Sequence, residues 1–220
     1  MTKQIAVIGL GRFGVSVAHE LYQLGHDVLV IDRDERLTQS MMGHVTYTVT
    51  ADGTSIEALE ELGIRNFDAA VVAVGTDVQS SILATVLLKR TFEIPEVVAR
   101  ANNDLHGKTL EAVGADRVVY PEQESGIRVA HSLFQREVLE YMELTPKFGF
   151  SKIRPPATVV GKTLEEAGLG GLRDKYGVAV VAIRRDREPI LAPSKDEIIQ
   201  PDDLLIIAGR EDMLEKIQVS

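Results

Sequence analysis

The stretch IAVIGLGRFG, residues 5 to 14, constrains the fold of this chain more than any other. A short apolar run stops at a glycine, and two more follow at the spacing Gly9-x-Gly11-x-x-Gly14. Gly9 permits a tight turn after a first strand, Gly11 lets a pyrophosphate approach the backbone, and Gly14 lets the following helix pack close to the sheet. Asp32 closes the next apolar run, about 20 residues on, where a carboxylate can accept hydrogen bonds from both ribose hydroxyls. Together these features predict a dinucleotide-type site. An acid at that place also disfavours a ribose 2′-phosphate, and so NADP.

The first 120 residues alternate regularly. Strand-like runs are QIAVI (4–8), DVLVID (27–32), VTYTVT (45–50), AAVVAV (69–74), EVVARA (96–101) and RVVY (117–120), with helical patterns between them such as VSVAHELYQLG (15–25), SIEALEELG (55–63) and SSILATVLLKR (80–90). Valine and isoleucine fill the strands with little alternation, as expected when both faces of a sheet are covered. The pattern predicts an α/β fold, a Rossmann-like doubly wound parallel sheet. A longer helical stretch over 124–144 follows, either completing this domain or crossing to a partner subunit or second lobe. The proline- and glycine-rich segment 145–162 then marks a boundary near residue 146. Beyond it the strands FSKIR (150–154), GVAVVAIRR (177–185), PILA (189–192) and DLLIIAG (203–209), a short helix TLEEAG (163–168) and a closing helix EDMLEKI (211–217) describe a small C-terminal α+β lobe. The expected domains are therefore 1–145 and 146–220.

Ligands on doubly wound sheets bind at the carboxyl ends of the strands. Those ends carry Arg33 and Asp34, Ala51 and Asp52, Val74 with Gly75 and Thr76, Arg100 with Ala101 and Asn102, and Pro121 with Glu122. Asp52 suits an adenine amino group or, equally, a turn. Arg100 interrupts an apolar strand and can reach a phosphate. Glu122 is out of place beside a phosphate unless a cation intervenes, or else it caps the long helix. His106 lies just past the fifth strand, near the same edge. Arg12, between the second and third glycines beside Phe13, is unusual for a hydride-transfer enzyme; a guanidinium there can pair with the terminal phosphates of a mononucleotide.

Composition narrows the function. Charged residues make up 26% of the chain and the net charge is -9. The whole acidic excess falls within residues 1–145, and the remainder is neutral. An acidic domain is a poor general binder of nucleic acid, where affinity rests on neutralised phosphates. With no cysteine there is no disulfide, thiolate zinc site or cysteine nucleophile. No window approaches the roughly 18 apolar residues of a membrane span, and the N-terminus lacks the regions of a signal peptide, so a cytoplasmic protein is expected. HExxH, GxSxG and GxxxxGK[ST] are absent, and none of the five histidines stands in a catalytic pattern. A non-catalytic role is expected, with an NAD(H)-binding redox sensor or oxidoreductase as the alternative.

GLGRFG, the Asp32 strand end, LGIRNFDAAVVAVGTD (62–77), ILATVLLK (82–89), VGADRVVYPE (113–122) and SGIRVAHSL (125–133) together resemble the cytosolic regulatory subunits of bacterial potassium uptake systems, the KtrA/TrkA-type proteins with RCK (KTN) domains. The resemblance covers nearly the whole chain. It implies a homodimer assembling into an octameric ring, peripheral on the inner face of the cell membrane and bound to an integral-membrane potassium channel subunit, with ATP activating and ADP inactivating. It implies Gly11 and Arg12 at the phosphates, Asp32 at the ribose, and Asp52, Val74, Gly75 and Thr76 around base and sugar. Arg100 and His106 would lie near the phosphates and across the dimer, and Glu122 would hold Mg2+ or another divalent cation at the dimer interface. Gly9, Phe13, Gly14, Arg33, Asp34, Ala51, Ala101 and Asn102 complete the expected nucleotide-binding set. In the C-terminal half the resemblance implies cyclic di-AMP, with Arg173 and Pro193 as candidate contacts. There AGLGG (167–171) departs from the family pattern, and Thr163 and Leu164 replace an expected apolar pair.

Overall fold

Alternate residues of the strands at 4–8, 27–32, 69–72 and 96–100 feed two different cores, which is why those strands read as largely apolar runs. Ala6, Ile8, Leu29, Ile31, Ala70, Val72, Val97 and Ala99 pack on one face of the sheet. Ile5, Val7, Val28, Val30, Val71, Ala73 and Val98 pack on the other. Burying a side chain of the Val, Leu or Ile type contributes about 1.5–3 kcal/mol, so both faces hold the sheet. These positions come from a computed structural model, which describes residues 1–133, 138–145, 148–171, 177–186 and 188–210.

The parallel sheet comprises β1 (Gln4–Ile8), β2 (Asp27–Asp32), β3 (Tyr47–Thr50), β4 (Ala69–Val72), β5 (Glu96–Arg100) and β6 (Arg117–Val119). Its strand order is β3-β2-β1-β4-β5-β6, and every pairing is parallel. The chain reverses direction between β1 and β4, so the crevice beyond their carboxyl ends is the topological switch point where ligands bind. The intervening helices are α1 (Arg12–Gln23), α2 (Glu35–Ser40), α3 (Ile56–Glu61), α4 (Val78–Val86) and α5 (Asp104–Val113). Side chains close their N-termini: Asp34 caps α2, Ser55 caps α3, Asp77 caps α4 and Asn103 caps α5. Gly114, at φ +117°, ends α5 in the left-handed conformation that favours glycine. The helix α4 runs on into a π-helical turn at Leu87–Thr91.

The chain divides into two compact units, Met1–Gln123 and Glu124–Ser220. The second contains an antiparallel sheet of β7 (Val138–Thr145), β8 (Phe148–Ile153), β10 (Val178–Arg185), β11 (Glu188–Leu191) and β12 (Leu204–Arg210), in the order β11-β10-β12-β8-β7. The short β9 (Gly170–Gly171) pairs with β10. One face carries the core: Ile153, Ile183, Leu205 and Ile207 pack with Val159, Leu164, Leu169 and Ile199 from the connecting segments.

Two expectations are corrected. The helical pattern of 124–144 ends early: α6 (Pro121–Leu133) is helix, but Val138–Thr145 is a strand paired antiparallel with β8. The run is short enough to satisfy both periods, and a partner strand decides in favour of β structure. The expected helix TLEEAG is instead a set of turns. Thr163 and Glu166 close it reciprocally: the Thr163 N–H donates to Glu166 Oε2 at 2.9 Å, and the Glu166 N–H donates to Thr163 Oγ1 at 3.1 Å. That is a capping box, cut short at Gly168, whose φ is +73°. The closing helix expected over 211–217 lies outside the described residues.

Candidate functional site

The glycine turn is built by close approach. Gly9 has φ +97°, and a Cβ on Gly14 would collide with the Gly9 carbonyl oxygen. A Cβ on Gly11, in contrast, would meet nothing within 4 Å, so this glycine leaves open space beside the start of α1. Gly11 is the N-cap of α1 and supplies no side-chain hydrogen bond, and the first turn has no acid. The N–H groups of that turn therefore receive no side-chain cap and no acid from the first turn, the arrangement that binds phosphate. The Arg12 side chain is exposed there and has no hydrogen-bond or ion-pair partner among the described residues. Phe13 faces elsewhere, packing with Val15, Val17 and Leu21 against the core on the α1 face.

Beside the turn lies a cleft of about 140 Å³ at the switch point, lined by Ile8, Gly9, Ile31, Asp32, Arg33, Ala51, Asp52, Gly53, Thr54, Val74, Asp77, Ser80 and Ala84. Six of the sequence-expected residues meet there: Gly9, Asp32, Arg33, Ala51, Asp52 and Val74. Asp32 is fixed by two backbone donors, the Leu10 N–H at 2.6 Å to Oδ2 and the Asp34 N–H at 2.8 Å to Oδ1. Each oxygen keeps a second lone pair for a ribose hydroxyl. Gly53 is tight, since a Cβ would strike Ile8 Cγ2. Asp34 turns away to cap α2 and pairs with Arg36 at 3.0 Å.

Sequence reasoning missed Gly53, Thr54, Asp77 and Ser80. The Asp52 carboxylate accepts from the Thr54 N–H at 2.8 Å and the Thr54 hydroxyl at 2.6 Å, so the turn role foreseen for Asp52 holds. The same oxygen accepts from Arg33 Nη2 at 2.8 Å. Burial alone would raise the Asp52 carboxyl, but the bonds from Thr54 and Arg33 hold it below the ordinary value. Asp77 is held below its ordinary value mainly by the Ser80 hydroxyl. The signal for Thr54 and Ser80 was their place two or three residues after an aspartate, the spacing of local Asx and capping bonds.

The remaining expected residues form a second cluster at the ends of β4, β5 and β6. The Arg100 guanidinium lies against Gly75, in the space that a Cβ there would take. Asn102 Nδ2 donates to the Gly75 carbonyl. Arg100 Nη2 donates to Glu122 Oε1 at 2.7 Å, with the Arg100 side chain 17% exposed and that of Glu122 61%. His106 is 3% exposed; its Nδ1 accepts from the Asn102 N–H at 3.3 Å, and burial lowers its pKa. The neutral ring therefore carries its proton on Nε2. That Nε2 and Arg100 Nε are both buried without a hydrogen-bond partner. Ala101 is buried and Thr76 exposed. Among the described residues no group of three or more His, Asp or Glu side chains could hold a metal, and none of the helices is long and apolar enough to cross a membrane.

In the C-terminal unit Pro193 is half-buried in the segment after β11, and Arg173 lies outside the described residues. The best-made polar cluster there is structural. Arg185 donates to Asp203 through Nε and Nη2, each at 2.9 Å, and to Glu197 at 2.8 Å. The Asp203 side chain is fully buried. Burial would raise its carboxyl, but Arg185 and the Gln200 N–H hold it below the ordinary value.

The TrkA-N domain family matches residues 5–121 and the TrkA-C domain family matches residues 151–219. The chain is 36% identical over 216 residues to Ktr system potassium uptake protein A of Bacillus subtilis (strain 168), covering 98% of this chain and 96% of that one. It is 38% identical over 209 residues to Ktr system potassium uptake protein C of the same organism, covering 95% and 93%. Among solved structures, GsuK bound to ADP matches with TM-score 0.54 and 28% identity over 61% of this chain and 35% of that one. The GsuK channel bound to NAD matches with TM-score 0.52 and 24% identity over 98% and 38%, a likeness of fold. This chain spans well under half of either GsuK chain. A TrkA-N domain followed by a TrkA-C domain, with more than a third of residues shared with Ktr proteins across almost their whole length, places the chain in the TrkA/Ktr family of potassium uptake proteins.

Proposed function

We propose that this chain is a cytoplasmic, nucleotide-gated regulatory subunit of a potassium uptake system. One observation carries the reading: a cleft with a fixed ribose-type acid, Asp32, opens beside an uncapped helix N-terminus at the switch point of the sheet. An adenosine in the cleft directs its phosphates toward the N–H groups after Gly11 and the exposed Arg12. ATP and ADP differ there by one charged phosphoryl group. A ligand shifts an equilibrium only by its differential contacts with two states, and Arg12 is placed to supply that difference. No bond need be broken. The likeness to ADP-bound GsuK supports an adenine nucleotide as the ligand.

A divalent cation fits the second cluster only in part. Glu122 offers one exposed carboxylate already bonded to Arg100, so one chain supplies one protein ligand. Phosphate oxygens and a second copy of the chain would supply the rest, in keeping with a dimer within a ring on a membrane channel subunit. Cyclic di-AMP in the C-terminal lobe, near Pro193 and Arg173, would be a second input.

The competing ligand is NAD(H), since the glycine turn and Asp32 serve any adenosine diphosphate moiety, and the NAD-bound GsuK channel shares the fold. Melting the protein with ATP, ADP, NADH and cyclic di-AMP, each with and without magnesium, tests the proposal. Stabilisation by ATP and ADP, with magnesium favouring ATP, is the expected result. Stabilisation by NADH alone would move the protein to a redox sensor.

A further inference from the structure

Arg33 directly follows the acid that ends β2. An arginine in this neighbourhood is what accommodates a ribose 2′-phosphate in NADP-type sites. Its presence conflicts with the message of Asp32, and the geometry resolves the conflict. Arg33 does not stand free beside the ribose position. Its Nη2 donates to Asp52 Oδ1 at 2.8 Å, and to the hydroxyls of Thr54 and Ser80 at 3.3 Å each. Its Nη1 lies 3.9 Å from Asp77 Oδ2. The guanidinium is thus tied to the loop after β3 and to the N-terminus of α4, both of which line the cleft.

We infer that Asp52 and Asp77 act as selectivity residues by withholding Arg33 from the ribose, so that the cleft takes adenine nucleotides with a free 2′-hydroxyl and rejects 2′-phosphorylated ones. The inference rests on the adenine-nucleotide reading of the cleft. Its logic is electrostatic. A 2′-phosphate arriving beside Asp32 meets a carboxylate and finds the nearest cation committed elsewhere. Freeing that cation means leaving two acids, Asp52 and Asp77, without it in an already acidic cleft. The bridge is half-exposed, with side-chain exposures of 55% for Arg33, 45% for Asp52 and 48% for Asp77. It holds by the sum of several bonds, of which the two carboxylates supply the ion pairs; neutralising both leaves only neutral acceptors, which a 2′-phosphate dianion outcompetes for the guanidinium.

The test uses 5′-AMP and 2′,5′-ADP, which differ only by the 2′-phosphate, titrated calorimetrically into the full chain. Asp52→Asn with Asp77→Asn is the informative variant. Asparagine keeps the acceptor oxygen that closes the Thr54 turn and is as good a helix cap as aspartate, so the loop and α4 retain their local bonds. Thermal melts check this. The wild type is expected to bind 5′-AMP more tightly. In the double variant the affinity ratio should move toward 2′,5′-ADP by about tenfold or more, the scale of a gained charge-assisted hydrogen bond. Adding Arg33→Met to the double variant should abolish the gain. An unchanged ratio in the folded double variant, or a gain that survives Arg33→Met, overturns the inference while leaving the nucleotide site standing. Failure of the wild type to bind 5′-AMP overturns both.

Discussion

The two units of this chain handle buried charge in opposite ways. In the C-terminal unit Arg185 is gripped by Asp203 and Glu197, and Asp203 also takes the Gln200 N–H. Each of these charges has a partner. In the N-terminal unit the polar groups at the strand ends are left incomplete: Arg100 Nε and His106 Nε2 are buried without partners, and the first turn of α1 is uncapped. Among the described residues, the buried side-chain atoms lacking a partner all lie in the first unit. A buried polar group left unsatisfied costs about 1–3 kcal/mol, so a chain keeps such groups where something else completes them. The contrast teaches where to look: the closed knot holds a fold, and the open cluster is where the proposed ligand would complete the polar groups.

The largest expected effect breaks the closed side. Asp203→Ala leaves Arg185 without its buried partner and should cost about 3–5 kcal/mol, read as a lowered urea midpoint for the C-terminal unit. A loss below 1 kcal/mol would show that the knot is decorative.

Next come two of the three glycines of the turn, Gly14 and Gly11. Gly14→Ala drives a methyl into the Gly9 carbonyl and should cost about 1–3 kcal/mol of stability, along with nucleotide binding. Gly11→Ala meets nothing in the protein, so its melting temperature should stay within a degree or two while nucleotide affinity falls. If both variants lose stability alike, Gly11 is not reserved for a ligand.

Acidity separates the units further. Burial lowers the His106 pKa, so the folded first unit resists a proton that the unfolded chain takes up near pH 6.5. Its stability should fall as pH drops below about 6.5, down through the lowered folded value. Asp203 is lowered by its partners. Its contribution is intact above the unfolded carboxylate value, about 3.9, and is lost only as pH falls through the still lower folded value. Hydrogen exchange at pH 7.5 and 5.5 should therefore show loosening in α5 but not in β10 or β12. Equal loosening in both would count against a role for buried His106.

The smallest effect on stability is expected at Glu122. Its side chain is mostly exposed, so Glu122→Gln should change stability by less than about 1 kcal/mol. It should nevertheless remove the magnesium dependence of ATP stabilisation in thermal melts.

The first unit was largely legible because its signals are local. The Gly9–Gly14 turn, the Asp32 strand end and the continuous Val/Ile runs each follow from a few adjacent residues, and together they give the parallel sheet. What stayed hidden depends on distant partners. Val138–Thr145 satisfies two periods, and only β8 decides between them. The bridge from Arg33 to Asp52 and Asp77 joins three loops far apart in sequence. Phe13 sits within the motif yet points into the apolar core on the α1 face, which helix phase settles and spacing alone does not.

The central claim is that the open cluster of the first unit reads the phosphates of an adenine nucleotide, and the most direct test is the ratio of ATP to ADP affinity in the presence of magnesium, for the wild type and for Arg12→Ala. Arg12 is exposed and unpartnered among the described residues, so its removal leaves the fold intact. The account predicts that the wild type binds both and discriminates between them, and that Arg12→Ala binds both with the discrimination lost. An unchanged ratio in the variant, or a wild type that binds NADH and neither mononucleotide, would contradict it.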